Sequence, residues 1–129
     1  MRVAVYGKKI TKQNTPVFKQ FLSLIAHYGW KPVLEVELQE QLEKKAGLAL
    51  GADTFSSSGD FKSGIDIAFS IGGDGTFLKT VSFIRDSGVP ILGINTGRLG
   101  FLANVGSEFL EEALNLVQKK EFEFQQRSL

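Results

Sequence analysis

With 129 residues and no cysteine, the chain has the length of one domain able to bury its own core, and disulfide frameworks, thiolate zinc sites and cysteine nucleophiles are excluded. A formal net charge of +1 gives no reason to expect a nucleic-acid partner. No apolar run approaches a membrane span, and Met1-Arg2-Val3-Ala4-Val5 leads into a strand instead of a signal peptide; no membrane partner is expected, and the lack of cysteine accords with a cytoplasmic protein.

Val3 and Val5 mark a short first strand that Gly7 stops, and Lys8, Lys9 and Lys12 follow in a polar loop. Those lysines either meet a phosphate or are simply solvated. Thr15 is the expected N-cap of a helix with Pro16 in its first position; Phe18, Phe21, Leu22 and Ile25 form the buried stripe, and Gly29 ends it. His27 falls in its last turn, where the helix dipole favours a cation. Val33, Leu34 and Val36 read as a second strand, and Leu38, Leu42 and Ala46 as a second helix. From Gly51 to Gly64 the composition is that of a loop, either a connector or a binding loop.

Ile65, Ile67, Phe69 and Ile71 alternate as a buried strand, and Phe77, Leu78, Val81 and Ile84 recur at helical spacing as the expected buried face of the next helix. Between them stand Gly72-Gly73-Asp74-Gly75-Thr76. Glycine in such a turn adopts backbone angles that other residues avoid, and it lets a ligand approach without meeting a Cβ. The amides that open the helix suit phosphate. Asp74 repels phosphate, so it faces a sugar hydroxyl, a metal ion or both, unless it merely caps the helix.

Gly88 ends that helix, and Val89-Pro90-Ile91-Leu92-Gly93-Ile94 is a further strand. Asn95-Thr96-Gly97-Arg98-Leu99-Gly100-Phe101-Leu102 follows at once. Ser107 is the expected cap of a last helix carrying Leu110, Ala113, Leu114 and Val117, and Glu121-Phe122-Glu123-Phe124-Gln125 alternates like a final strand. Strands alternating with helices predict an α/β fold: an open, mostly parallel sheet with helices on both faces. Both glycine-rich loops then lie on one rim of it.

Together, Gly72-Gly73-Asp74-Gly75-Thr76 and Asn95 through Leu102 resemble the N-terminal, Rossmann-like three-layer domain of NAD kinases. The first motif also resembles that of diacylglycerol-type lipid kinases, and its first four residues that of phosphofructokinases; the second, at this spacing, is much more specific to NAD kinases. The dinucleotide fingerprint G-x-G-x-x-G is absent, which disfavours dehydrogenase chemistry.

The resemblance implies that NAD is phosphorylated on its adenosine-ribose 2′-hydroxyl to give NADP, with magnesium and with ATP or polyphosphate as donor. By the same resemblance Asp74 bonds the ribose and acts as general base. Gly72 and Gly73 line the phosphate approach, and Gly75 brings its backbone close to the nucleotide. Thr76 caps the helix, Lys79 and Arg98 lie near the nucleotide, Asn95 offers amide hydrogen bonds and Phe101 contacts the adenine. No metal ligand among the side chains is assigned. The match runs to Arg127-Ser128-Leu129, where a second, all-β domain normally begins, with an Asn-Glu or Asn-Asp motif that completes the NAD site and forms most subunit contacts. The expectation is therefore a single domain over 1–129, an N-terminal piece inactive alone, of an enzyme that is a homo-oligomer at full length. The alternatives are the lipid-kinase domain and a non-catalytic nucleotide-binding module.

Overall fold

Alternation along β1 (Arg2–Gly7) turns Val3 and Val5 to one side of the chain and Ala4 and Tyr6 to the other, and the same period runs through β4 (Ile67–Gly72), whose six residues are all buried. A strand buried on both faces belongs in the middle of a covered parallel sheet. In the computed structural model, which describes residues 1–48, 51–56, 64–84, 87–96 and 105–119, β4 pairs with β1 on one side and with β5 (Ile91–Asn95) on the other. The sheet has six parallel strands in the order β3-β2-β1-β4-β5-β6, completed by β2 (Lys31–Glu35), β3 (Asp53–Phe55) and β6 (Val105–Gly106).

One face packs against α1 (Thr15–His27), α2 (Val36–Ala46) and α4 (Leu110–Gln118). Val5, Phe69, Ile71 and Ile94 meet Phe18, Phe21, Leu38 and Leu114 in that core. Phe69 is its hub: the Phe21 ring stands edge-on to it at 5.0 Å and Trp30 stacks on it at 6.3 Å. The other face carries α3 (Asp74–Ile84), where Ile84 and Phe83 cover Ala4, Val33, Phe55 and Ala68. Helices on both faces of an open parallel sheet match the sequence expectation.

Several local readings need correction. Helix α3 turns Thr80 and Ile84 inward and leaves Leu78 and Val81 58% and 39% exposed, so the expected stripe of Phe77, Leu78, Val81 and Ile84 is not its buried face. Thr80 tolerates burial because its hydroxyl donates to the Thr76 carbonyl at 2.9 Å. Val36 is not in a strand; it opens α2, because the Glu35 carboxylate accepts from the Leu38 amide at 2.9 Å and caps the helix there. Thr15 is the first residue of α1 and Asn14 its N-cap. Ser107 begins a short 3-10 turn, Ser107–Phe109, ahead of α4 and does not cap it. The segment from Gly51 to Gly64 contains the edge strand β3, and β6 was also not foreseen. The final strand expected at Glu121 through Gln125 lies outside the described residues.

Replacing the hub ring should cost about 3–5 kcal/mol, the usual range for a buried phenylalanine truncated to alanine. Urea denaturation of Phe69→Ala is expected to show a lowered midpoint at unchanged slope.

Candidate active site

In a doubly wound sheet with this strand order, the chain leaves β1 and β4 toward opposite sides, and the crevice between their carboxyl ends receives ligands. Here the crevice is held by backbone bonds just past the strands. The Lys8 amide donates to the Ile71 carbonyl at 2.8 Å, and the Thr96 amide donates to the Gly72 carbonyl at 3.2 Å. Lys8, Gly72 and Thr96 are thus fixed side by side on one rim.

The glycines of the turn differ in their reasons for being glycine. None of Gly72, Gly73 and Gly75 has a positive φ, so unusual backbone angles are not why they are there. A Cβ on Gly72 would lie 2.8 Å from Thr76 Cβ and 3.0 Å from Lys8 Cβ, which makes Gly72 a packing requirement. A Cβ on Gly73 or Gly75 would meet nothing within 4 Å. No protein atom demands glycine at those two positions, and the open space in front of them suits close approach by a ligand. Helix α3 starts here, with the Phe77 amide making its bond to the Gly73 carbonyl at 3.0 Å. Amides ahead of Phe77 lie in the first turn, where a helix offers its positive end. Asp74, half-buried, is the first residue of that turn.

Among the described residues, two cavities flank Lys8. The smaller, ≈ 230 Å³, is lined by Lys8, Thr11, Gln13, Asn14, Gly72, Gly73 and Thr96. The larger, ≈ 430 Å³, lies on the α3 side and is lined by Lys8 and Lys9, by Gly75, Thr76 and Lys79 of α3, and by Tyr6, Glu35, Glu37 and Gln41 among others. Asn14 ties the lysine loop down: its side chain accepts from the Thr11 amide at 2.8 Å and donates to the Lys9 carbonyl at 2.9 Å. Burial, then the carboxylates Glu35 and Glu37, push the Tyr6 phenol above its ordinary pKa.

The structure therefore brings Gly72, Gly73, Asp74, Gly75, Thr76 and Lys79 to one rim. Asn95 stands opposite Gly72 in the sheet register and is 5% exposed, with its amide nitrogen buried and unpartnered. A buried amide donor without an acceptor is costly unless something else fills the role. Arg98 and Phe101 lie outside the described residues. Lys12 lines neither cavity, and His27 sits at the far end of α1, which runs back toward the start of β2. Sequence reasoning missed Asn14, Glu35, Glu37 and Gln41, although Glu35 ends a strand and so obeys the same placement rule as the glycine turn. Among the described residues no group of three or more His, Cys, Asp or Glu side chains is placed to hold a metal ion.

The profile of the ATP-NAD kinase N-terminal domain matches residues 8–122. The chain belongs to the NAD kinase family. Over all its 129 residues it is 36% identical to the NAD kinase of Flavobacterium psychrophilum and 34% identical to that of Bacteroides fragilis, covering 44% of each. The NAD kinase of Methanothermobacter thermautotrophicus is 30% identical over the same span. The chain thus spans less than half the length of these NAD kinases. Its fold matches the crystal structure of yeast NADH kinase complexed with NADH at a TM-score of 0.73 and 18% identity, over 92% of this chain and 38% of that one.

The two kinds of glycine separate by substitution. Gly72→Ala is expected to destabilise the fold by about 1–3 kcal/mol, the usual cost of overpacking. Gly75→Ala, placed in a helix with open space around it, should leave the denaturation midpoint unchanged or slightly raised. It should nonetheless weaken nucleotide binding in calorimetric titration.

Proposed function

We propose that this chain is the N-terminal part of an NAD kinase, phosphorylating the adenosine-ribose 2′-hydroxyl of NAD to NADP. The observation that carries this reading is Asp74 at the head of α3, between two glycines open to a ligand, at the switch point of the sheet. A secondary alcohol must lose its proton as it attacks phosphorus, and a carboxylate in hydrogen-bond reach accepts it. In the step, a bond forms from the ribose 2′-oxygen to the terminal phosphorus of the donor. The bond from that phosphorus to its bridging oxygen breaks, and its electron pair leaves on the shortened phosphate chain. The hydroxyl proton goes to Asp74.

The other residues take supporting roles in this reading. Gly72 and Gly73 line the phosphate approach, Gly75 admits the nucleotide, and Lys79 adds positive charge. Asn95 gives its unpartnered amide to the substrate, and Arg98 and Phe101 complete the nucleotide contacts. Magnesium fits as an ion carried by the donor's phosphates, which needs one or two protein carboxylates at most, and Asp74 is the carboxylate at the turn. Bound there it would neutralise phosphate charge. ATP or polyphosphate would be the donor. A second domain, such as the greater length of the relatives allows, would complete the NAD site and carry the subunit contacts of a cytoplasmic homo-oligomer. Among the described residues no helix is long and apolar enough to cross a membrane. The lipid-kinase alternative is not favoured, since the relatives that cover the whole chain are NAD kinases.

Two measurements test the proposal. Calorimetric titration should show NAD binding this chain weakly and Asp74→Ala weakening it further, with no NADP formed from magnesium and ATP. In the full-length enzyme, Asp74→Ala should lower turnover by roughly a hundred- to ten-thousand-fold, the worth of general-base catalysis. Near-normal turnover in that variant would remove Asp74 from the chemistry.

A further inference from the structure

The peptide unit between Lys9 and Ile10 is gripped at both of its polar ends. Its carbonyl, on Lys9, accepts from Asn14 Nδ2 at 2.9 Å, and its N–H, on Ile10, donates to Gln41 Oε1 at 2.7 Å. The two side chains come from different helices: Asn14 is the N-cap of α1, and Gln41 lies in α2, 31 residues along the chain from its partner. The peptide unit ahead of Lys8 is held as well, because the Lys8 amide donates to the Ile71 carbonyl. A peptide unit is a rigid plane, so fixing the planes before Lys8 and after Lys9 leaves the two lysines little backbone freedom. Residues 8–14 lie outside helix and strand, so no regular ladder supplies these bonds. Ile10 is buried, and a buried N–H needs an acceptor; Gln41 is the one it has.

We propose that Gln41 is a positioning residue for anion binding: by holding the Lys9–Ile10 peptide against α2, it keeps Lys8 and Lys9 poised beside the glycine turn before any anion arrives. This rests on the kinase reading above, in which phosphates come to that turn, and adds what keeps the lysines there. Gln41 carries no charge, and its oxygen is already spent on Ile10. Its effect on an anion therefore runs through the lysines. Lys8 stands close enough to the turn that a Cβ on Gly72 would lie 3.0 Å from its own Cβ, and Lys9 follows it directly. Were the loop free, each anion bound would have to order its backbone, and that entropy would be lost from the affinity. Asn14, from the other side, is the second jaw of the same clamp, with its oxygen accepting from the Thr11 amide at 2.8 Å.

Two variants test the clamp. Gln41→Met keeps the length of the side chain and suits a helix but removes the acceptor, whereas Gln41→Glu keeps an acceptor. In the ligand-free chain, hydrogen exchange followed by NMR should show the Ile10 amide exchanging roughly tenfold faster in Gln41→Met, the worth of one hydrogen bond. The Phe69 amide in β4 should stay as protected as in the parent, and Gln41→Glu should restore protection at Ile10. Calorimetric titration of inorganic pyrophosphate should give roughly three- to tenfold weaker binding to Gln41→Met. Made on top of Lys9→Gln, the same substitution should change binding by less than about twofold, since it acts through the lysine it positions. Equal losses in the two backgrounds would mean that Gln41 meets the anion itself or acts on the whole fold, and either overturns the proposal. So does pyrophosphate bound by Gln41→Met as tightly as by the parent, or not bound by the parent at all. Titrating NAD into the parent separates the failures: Asp74-dependent NAD binding leaves the kinase reading standing, and its absence takes that reading down as well.

Discussion

Two backbone hydrogen bonds, Lys8 to Ile71 and Thr96 to Gly72, carry the sheet's ladder one residue past its strands. They tie the lysine loop, the glycine turn and the end of β5 together on this rim. Without them the loops after β1 and β5 would leave the sheet independently, and the glycine turn would have no walls. With them, the amides opening α3, the lysine loop and the end of β5 share one frame set by the register of β1, β4 and β5. A parallel sheet produces this arrangement because all its strands end on one edge, and the topology reverses direction between the first and fourth of them.

The lysine loop is a charged surface segment whose residues line the two cavities. Lysine side chains in a mobile loop lose much entropy on gripping a ligand. Here the backbone has already been fixed. Ile10 is buried as an anchor, its amide donates to Gln41 Oε1 at 2.7 Å, and Asn14 bonds the loop at Thr11 and Lys9. Asn14 and Gln41 also line the two cavities, so the side chains that hold the loop are part of the walls. Only the lysine stems remain to be ordered when an anion arrives. Preorganisation of this kind favours affinity by removing cost and adds no new contact.

What the sequence made legible follows physical periodicity. β4 and its glycine turn could be read because large apolar residues alternate strictly and then stop at three glycines and an aspartate. α3 was misread for a related reason: Leu78 and Val81 fit a helical stripe, but Thr76 and Thr80 lie against the sheet instead. Threonine offers a methyl group for packing and hides its hydroxyl on the preceding turn, so a pattern built from apolar residues alone passes over it. β3 has a single buried side chain, Phe55, in three residues, too few for an alternation to appear. Glu35 was invisible as a boundary because its effect comes from one capping bond and not from any repeat. Lys8 and Lys9 were legible as charge that either meets a phosphate or is simply solvated, with nothing in the pattern to decide between the two. Only the pairing of β1 with β4 sets Lys8 against Gly72.

Phosphoryl transfer also requires that water be kept from the donor, since an ordered polar environment must replace the solvent around the developing charge. The described rim meets only part of that need. Asp74, Gly73 and Thr96 are half-buried and Asn95 is enclosed, so the floor around the glycine turn is already partly dry. Lys8, Lys9, Gly75 and Lys79 stand exposed, so the flank between the lysine loop and α3 is wet. Exposed cations in water attract phosphate and steer it in, but high dielectric limits how much transition-state charge they stabilise. While that flank is open to water, the arrangement is better suited to capturing an anion than to stabilising transition-state charge. The exposure of that flank is a physical reason, beside the family likeness, for binding and turnover to separate in this chain.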